Sequence, residues 1–164
     1  MTAQISDDFS MNGAIACLMG CPALPWHHPR LARLTDDEAM KACRDGLIFS
    51  TACWRRYVAT WRLERDRLYL DAIEGIYRLE GEAPLFADWV TETLRVAQGH
   101  ELTYVHMGFG TVYERDLLLD VRMGVLVSRS ERDNRGQPHD AAALGLENLP
   151  SDETVTPGWK RGIH

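Results

Sequence analysis

The sequence predicts an α+β domain built on a mainly antiparallel meander sheet of about six or seven strands, with two or three short helices. Three observations predict it. Apolar and aromatic residues alternate with polar ones across much of residues 50–128, which is the period of half-buried strands. Short polar turns separate these stretches, and the alternation of strands and helices typical of a parallel sheet is absent. A strongly curved sheet or a partial barrel would suit this number of strands.

The clearest strand pair is a predicted antiparallel hairpin. Residues 57–63 and 68–72 both alternate at a period of two, and the polar residues 64–67 join them as a turn. In this register Tyr57 and Trp61 face the core, because aromatic side chains on strands commonly fill it. The later strand patterns cover 93–96, 102–107, 112–114, 117–121 and 125–128, with turns at 98–100 and 123–124.

Helix signals occur at three places in the chain. Thr35 and Glu38 have the spacing of a capping box, which predicts a helix from Asp36 to Asp45. A proline suited to a first turn, followed by apolar residues at helical spacing, predicts a short helix over 84–90. A capping aspartate and a following proline predict a third helix over 140–149.

The polar segments at both ends predict the domain organisation. A chain of 164 residues corresponds to one domain. Residues 1–13 carry little apolar content and are expected to be loose, residues 14–128 form the single α+β domain, and residues 129–164 form a polar C-terminal extension. Trp159 in this extension is expected to lie against the domain or against a second copy of the chain, so the tail could support a homo-oligomer.

Composition argues against several classes of function. A net charge of −6 disfavours nonspecific nucleic-acid binding, which depends on neutralising phosphates. The N-terminus lacks the positive start of a secretory signal, and no apolar run approaches the roughly 18 residues of a membrane-spanning helix. The four cysteines fit a reducing compartment. These features predict a cytoplasmic location, and no motif indicates a cofactor.

Three segments resemble parts of an uncharacterised family of small bacterial proteins. They are Phe49–Trp61, Leu85–Val96 and Tyr104–Glu114. The resemblance extends over residues 47–128. It implies a bacterial or phage source, and it brings no activity, substrate or catalytic residue with it.

A cluster of potential metal ligands lies in the first part of the chain. Cys17 and Cys21 precede His27 and His28, and zinc accepts cysteine and histidine in sets of four. The spacing between the two pairs is short for a closed tetrahedral site, and adjacent histidines point apart in an extended chain. We therefore expect packed cysteines and surface histidines, with a zinc site as the alternative.

Cys53 and His106 are the candidate catalytic residues. A cysteine nucleophile needs a nearby base and a lowered pKa, and the neighbouring Arg55 and Arg56 could lower it. No family signature surrounds Cys53, so a buried thiol is the simpler interpretation. His106 begins a glycine-bearing stretch over 106–110, which is either a hairpin connection or a place where a ligand approaches the backbone closely.

Aromatic and arginine residues just before the first long strand form a candidate binding surface. Trp54, Arg55 and Arg56 combine residue types that dominate interface hot spots and that could also stack bases. Arg55 shares the strand face of Tyr57, which predicts a buried carboxylate partner such as Glu114 or Asp88. The candidate binding residues are therefore Trp54, Arg55, Arg56, Asp88, His106, Glu114 and Trp159.

The leading hypothesis is a non-enzymatic binding protein that docks on another macromolecule, as inhibitor and immunity-type modules do. It rests on small size and acidic charge, which steers a protein toward a basic protein partner. One alternative is a small hydrolase-like enzyme that uses His106 with Cys53 or a carboxylate. Another is a small-ligand-binding barrel. One deep pocket with converging polar groups would favour an enzyme or ligand binder, and a flat exposed patch would favour docking.

Overall fold

Ten strands, one α-helix and one 3-10 helix form the part of the chain that the computed structural model describes, which comprises residues 2–25, 27–43 and 46–137. The strands are β1 (Asp8–Met11), β2 (Ala14–Leu18), β3 (Leu31–Arg33), β4 (Tyr57–Glu64), β5 (Arg67–Gly75), β6 (Tyr77–Leu79), β7 (Leu85–Phe86), β8 (Glu92–Thr103), β9 (Val112–Arg122) and β10 (Val125–Asp133). The α-helix α1 spans Asp36–Ala42, and the 3-10 helix spans Leu47–Phe49.

Seven of these strands close into a mixed barrel. Their order around the wall is β10-β9-β8-β2-β1-β4-β5, and the pairing of Val125 in β10 with Arg67 in β5 completes the ring. The short strand β7 also pairs with β5, and β3 and β6 form a separate two-stranded sheet. The predicted combination of a sheet with helix is confirmed, and the curvature proceeds to full closure.

The predicted antiparallel meander is wrong, because strands that are adjacent in the barrel are often distant in the chain. β1 lies between β2 and β4, and it pairs with β4 in parallel, with Phe9 opposite Trp61. β2 in turn pairs with β8 through Cys17 and Leu18. A parallel pair needs no tight turn between its strands, so this contact leaves no signal in the local sequence pattern.

The N-terminal residues form part of the barrel wall. The sequence suggests a loose segment over residues 1–13, yet Asp8–Met11 form β1 and Phe9 is only 3% exposed. At the other end of the domain, β10 continues past residue 128 to Asp133. The predicted helix over 140–149 and Trp159 lie outside the described residues.

One of the helix predictions is confirmed at its start, although α1 ends at Ala42 and not at Asp45, and another prediction is wrong. The N-cap Thr35 backbone N–H donates to Glu38 Oε2 at 2.8 Å, and Glu38 N–H donates to Thr35 Oγ1 at 3.3 Å, so the predicted capping box begins α1. The predicted helix over 84–90 is absent from the described chain. Leu85 and Phe86 form β7 there, because pairing with β5 overrides the helical spacing. No helix in the described ranges is long and apolar enough to cross a membrane.

The predicted hairpin is confirmed, and the bounds of the later strands differ from those expected, since the strand predicted over 102–107 ends at Thr103 as the end of β8. β4 pairs with β5 across a turn at Arg65 and Asp66, both of which have positive φ. β8 and β9 are each continuous, and the turn expected at residues 98–100 is a bulge within β8. Gly99 has φ of 82° at this bulge, a conformation that glycine adopts without strain.

Trp61 lies at the centre of the barrel core, as the strand register predicts. Its side chain is fully buried, and Tyr57 packs against the same cluster. Every wall strand except β10 contributes further buried members: Phe9, Leu18, Ala59, Leu63, Leu68, Leu70, Leu94, Val96, Leu117, Leu119 and Val121. Ala87 and Val90, which lie between β7 and β8, complete the cluster. The core therefore occupies the barrel interior, and the carboxylate of Asp7 is buried beside the start of β1 and β4.

Candidate functional site

Three segments meet beside the start of β1 and β4. They are the N-terminal segment (residues 2–7), the pre-β4 loop (residues 50–56) and the glycine loop (residues 104–111). Gln4 holds all three together: its N–H donates to Gly108 O at 2.8 Å, and its Oε1 accepts from Trp54 N–H at 3.0 Å. This network fixes two loops that are far apart in the chain against the same short strand segment.

Residues of the three segments and Cys21 line an open, mainly apolar pocket of about 410 Å³. Trp54, Phe109, Cys21, Gln4 and Arg55 line it, together with the backbone of two glycines in the glycine loop. Its volume falls in the range of roughly 300–1,000 Å³ that is typical of small-molecule sites. The Trp54 residue is 46% exposed, so an aromatic ring stands at the pocket and is still reachable from solvent.

Arg55 is the charged residue on the wall of this pocket. Its side chain is only 12% exposed, and its Nη2 donates to Asp7 Oδ1 at 2.7 Å. The guanidinium carbon lies 5.4 Å from the centre of the Tyr57 ring, which agrees with the predicted shared face. Its Nε is buried and has no hydrogen-bond partner among the described residues. The site therefore contains a cationic donor with unused hydrogen-bonding capacity.

The partner of Arg55 is Asp7, and the predicted partners Glu114 and Asp88 are wrong. The Asp7 side chain is fully buried. Its Oδ1 also accepts from Ala59 N–H at 3.0 Å, and its Oδ2 accepts from Trp61 Nε1 at 2.7 Å. The structural reason is the parallel strand pairing, which carries the N-terminal segment directly over the start of β4.

Burial and the charge of the partner shift the pKa of each member of this pair in opposite directions. Burial raises the pKa of Asp7, and the hydrogen bonds from Ala59 and Trp61 and the charge of Arg55 only partly counter it. Burial alone would lower the pKa of Arg55, but the Asp7 carboxylate outweighs burial and raises it. Arg55 therefore stays protonated, whereas Asp7 is the group whose charge responds most readily to pH.

The cysteines around the pair are not activated as nucleophiles. Cys21 lines the pocket, and Cys53 is buried with its Sγ 3.3 Å from Tyr57 O. Burial raises the pKa of both thiols, although Arg55 opposes this shift. A reactive cysteine needs the opposite shift. These contacts therefore give no support to catalysis by Cys53.

His106 lies on the outer side of the glycine loop. It is exposed, and its Nδ1 lies 2.9 Å from the hydroxyl of Tyr104. The residues that line the pocket include Phe109 of the same loop but not His106. A shared site for His106 and Cys53 consequently has no geometric support in the described structure.

The potential zinc ligands do not assemble. Cys17 is exposed on β2, whereas Cys21 lines the pocket. His28 accepts a hydrogen bond from Arg30 N–H at 3.1 Å and packs against Trp89. Among the residues that the structure describes, no group of three or more histidine, cysteine or acidic side chains is arranged to hold a metal ion.

The remaining predicted binding residues lie away from the pocket. Arg56 has φ of 62°, donates from Nε to Ile48 O at 3.0 Å and pairs with Asp36 at 2.9 Å. Glu114 accepts a hydrogen bond from His100 N–H at 3.0 Å and thereby supports the bulge in β8. Asp88 is exposed. Of the predicted set, the described structure therefore brings only Trp54 and Arg55 to the pocket.

Arg95 positions the glycine loop, and the sequence did not single it out. Its Nη1 donates to Phe109 O at 2.9 Å, its Nη2 donates to Thr111 O at 2.7 Å, and its Nε donates to Asp116 at 3.0 Å. The buried Asp116 also accepts from Arg132 at 2.6 Å and Asn134 at 3.0 Å. This charged cluster anchors the loop that forms one wall of the pocket.

Hydrogen bonds also control the charge of that anchor. Burial acts to raise the pKa of Asp116, but the hydrogen bonds from Asn134, Arg132 and Arg95 together outweigh it and the pKa is lowered. Asp116 is therefore a carboxylate at neutral pH.

One sequence signal could have indicated that Asp7 is buried. Asp7, Phe9 and Met11 share a period-two register. A strand at this position directs Asp7 to the interior.

The comparisons with known proteins add no functional information. No family model, curated protein or solved structure matches the chain. The resemblance to small bacterial proteins over residues 47–128 stays a prediction. The function must be inferred from the pocket and its charged pair.

Proposed function

We propose that this protein is a non-enzymatic binding protein that holds a small ligand in the pocket beside Arg55. The ligand has an apolar body and at least one oxygen that accepts a hydrogen bond. The observation that carries this proposal is an apolar pocket whose lining includes the cationic residue Arg55, the Nε of which is buried without a partner among the described residues.

The energetics favour a ligand that supplies an acceptor. A buried donor without a partner costs about 1–3 kcal/mol, and a ligand oxygen at Arg55 would remove this penalty. Trp54 and Phe109 supply apolar contact area for the rest of the ligand. Backbone of the glycine loop forms another wall, and glycine lets a ligand approach the main chain closely.

Matched aromatic probes test this proposal. Toluene and benzamide share one ring, but only benzamide carries a carbonyl acceptor. We expect both to shift the NMR signals of the Trp54 indole, and only benzamide to shift the Arg55 Nε–H signal. A hydrogen bond worth about 1 kcal/mol should give benzamide roughly fivefold higher affinity.

Two arginine variants provide the matched comparison. Arg55→Lys should remove the preference for benzamide over toluene, since lysine keeps the charge but lacks the planar donor. Arg56→Lys is the control, because Arg56 pairs with Asp36 and does not line the pocket. Equal affinities for the two probes in the wild-type protein, or shifts that map elsewhere on the barrel, would refute the proposal.

We also propose a second candidate, which is docking on a protein partner. Apolar side chains beside the pocket support it: Trp54 is 46% exposed, Ile5 is 38% exposed and Tyr104 is 56% exposed. Exposed aromatic anchors of this kind suit a protein interface, and the net charge of −6 favours a basic cytoplasmic partner.

Affinity purification from the native host tests the second candidate. The wild-type protein should retain a partner that the Ile5→Ser variant loses, since this change removes an anchor and leaves the pocket lining intact. Met40→Ser is a matched control, because Met40 is 48% exposed on α1. A partner retained equally by both variants would count against docking at this surface.

A further inference from the structure

Arg55 lines the pocket, but its counter-charge does not. Asp7 is not among the lining residues, and its side chain is fully buried. The other described lining residues are uncharged. A ligand in the pocket therefore has the cation Arg55 as a neighbour, whereas the Asp7 carboxylate that neutralises this cation is not part of the described lining.

The contact between the two charges leaves donors for a second acceptor. Asp7 is bonded to Nη2 of Arg55 through a single oxygen at 2.7 Å, and Nε of the same guanidinium is unpaired. A planar guanidinium can bind the two oxygens of a carboxylate in a bidentate way, as it also binds those of a phosphate. The geometry thus suits a ligand carboxylate, but the charge balance needs a further step.

A second carboxylate at this pair favours a change of protonation. Asp7 and Arg55 are neutral together, so a monoanionic ligand would add one uncompensated negative charge beside the fully buried Asp7 side chain. Uptake of one proton from solvent restores neutrality. The structure also indicates which group receives it, because the titratable side chains around the pair differ in what they can accept.

The neighbours of Asp7 are already protonated at neutral pH. Arg55 carries its proton, and burial raises the pKa of the Cys21 and Cys53 thiols and of the Tyr57 phenol. None of these groups can take up another proton. Asp7 can, and its carboxyl is fully buried beside the pocket. Asp8 is exposed on the next position of the chain, so its charge stays in solvent.

Glu92 is the competing acceptor. It acts electrostatically on Cys21, and its own pKa is raised by burial. However, its Oε2 accepts only a long hydrogen bond of 3.5 Å from Ala23 N–H, and no contact joins it to Arg55. Protonation of Glu92 would therefore leave the Arg55 guanidinium shared between the Asp7 carboxylate and the ligand carboxylate. Protonation of Asp7, in contrast, leaves the ligand carboxylate as the anion that pairs with Arg55.

We propose that the ligand is a small carboxylate with an apolar body, and that one proton from solvent binds Asp7 as the ligand carboxylate takes over Arg55. This inference rests on the proposed function of the pocket. In the balanced step, the Asp7 carboxylate becomes a carboxylic acid, Arg55 stays protonated, and the ligand stays ionised. No bond other than the new O–H bond forms.

Benzoate and benzamide distinguish this mechanism from simple pocket binding. Calorimetric titrations in buffers of different ionisation enthalpy should show about one proton taken up per benzoate and none per benzamide. The affinity for benzoate should rise about tenfold for each unit by which pH falls, and it should level off below the pKa of Asp7 in the free protein. The affinity for benzamide should not change with pH.

Variants assign the proton to a residue. Asp7→Asn keeps an oxygen acceptor but cannot take up the proton, so benzoate binding should lose its pH dependence. Glu92→Gln should keep it. Since Asp7→Asn could fail to fold, the carboxyl ¹³C signal of Asp7 in the wild-type protein gives a second readout. At neutral pH it should move to the position of a protonated acid when benzoate is added.

Each outcome has a separate meaning. If benzamide binds in the pocket but benzoate does not, or benzoate binds with no proton uptake, the inference is overturned and the proposed function stands. Loss of proton uptake in Glu92→Gln with an ionised Asp7 in the complex also overturns it. If neither probe binds in the pocket, the proposed function itself fails, and this inference fails with it.

Discussion

Replacing Asp7 with alanine should strongly destabilise the fold. The change removes a fully buried carboxylate that accepts hydrogen bonds from Arg55, Ala59 N–H and Trp61 Nε1. It also leaves the Arg55 guanidinium, which is only 12% exposed, without its counter-charge. Breaking a buried ion pair by removing one partner costs about 3–5 kcal/mol.

The hydrogen bonds set a consistent scale for this loss. Two further buried donors lose their acceptor, at about 1–3 kcal/mol each. These penalties overlap with the ion-pair figure because the same carboxylate supplies all the contacts, so they are not added to it. A loss of about 3–5 kcal/mol would be a large share of the roughly 5–15 kcal/mol by which domains are normally stable.

Urea unfolding followed by circular dichroism measures the effect. Asp8→Ala is the matched control, because Asp8 is the next residue and is exposed. It should change the free energy of unfolding by no more than about 0.5 kcal/mol. If Asp7→Ala proves no more destabilising than Asp8→Ala, the buried pair does not hold the N-terminal segment to β4 and the reasoning is refuted.

Three further predictions concern the supports of the site and the turns of the barrel. Gly75→Ala should lower the free energy of unfolding in urea by about 1–3 kcal/mol more than Gly13→Ala does. A Cβ at Gly75 would lie 2.6 Å from the Cα of Tyr57, whereas a Cβ at Gly13, which also has positive φ, would meet nothing within 4 Å. The lowered pKa of Asp116 gives the wild-type protein stability that is fully present above about pH 4 and is lost as pH falls through that pKa. Asp116→Asn should lack this contribution and its pH dependence. Equal acid profiles for the two proteins would contradict that assignment. Arg95→Lys should speed amide hydrogen exchange at residues 105–111 and weaken benzamide binding, and unchanged exchange would show that Arg95 does not anchor the loop.

Local features of the fold could be predicted from the sequence because short-range physics determines them. The capping box before Asp36 needs only residues three apart, and it begins α1 as expected. The hairpin of β4 and β5 follows from alternation and a polar turn, and the same alternation directs Trp61 to the core. Each of these signals lies within a window that a single strand or turn spans.

The errors come from contacts between distant parts of the chain. The helical spacing after Pro84 is real, but pairing of Leu85 and Phe86 with β5 decides the conformation there. The N-terminus has little apolar content, yet Phe9 is buried and its strand forms part of the barrel wall between β2 and β4. Local composition carries no information on which distant strand will pair with a given segment.

The sequence by itself determined the strand-rich class, the first hairpin and the start of α1, and it singled out Trp54 and Arg55, which line the pocket. Only the tertiary structure decided what Arg55 does, because its partner Asp7 is 48 residues away in the chain and reaches it through the parallel pairing of β1 with β4. A strand pattern specifies which residues of the strand face the core. It does not specify the neighbouring strand, and the chemistry of this pocket depends on that neighbour.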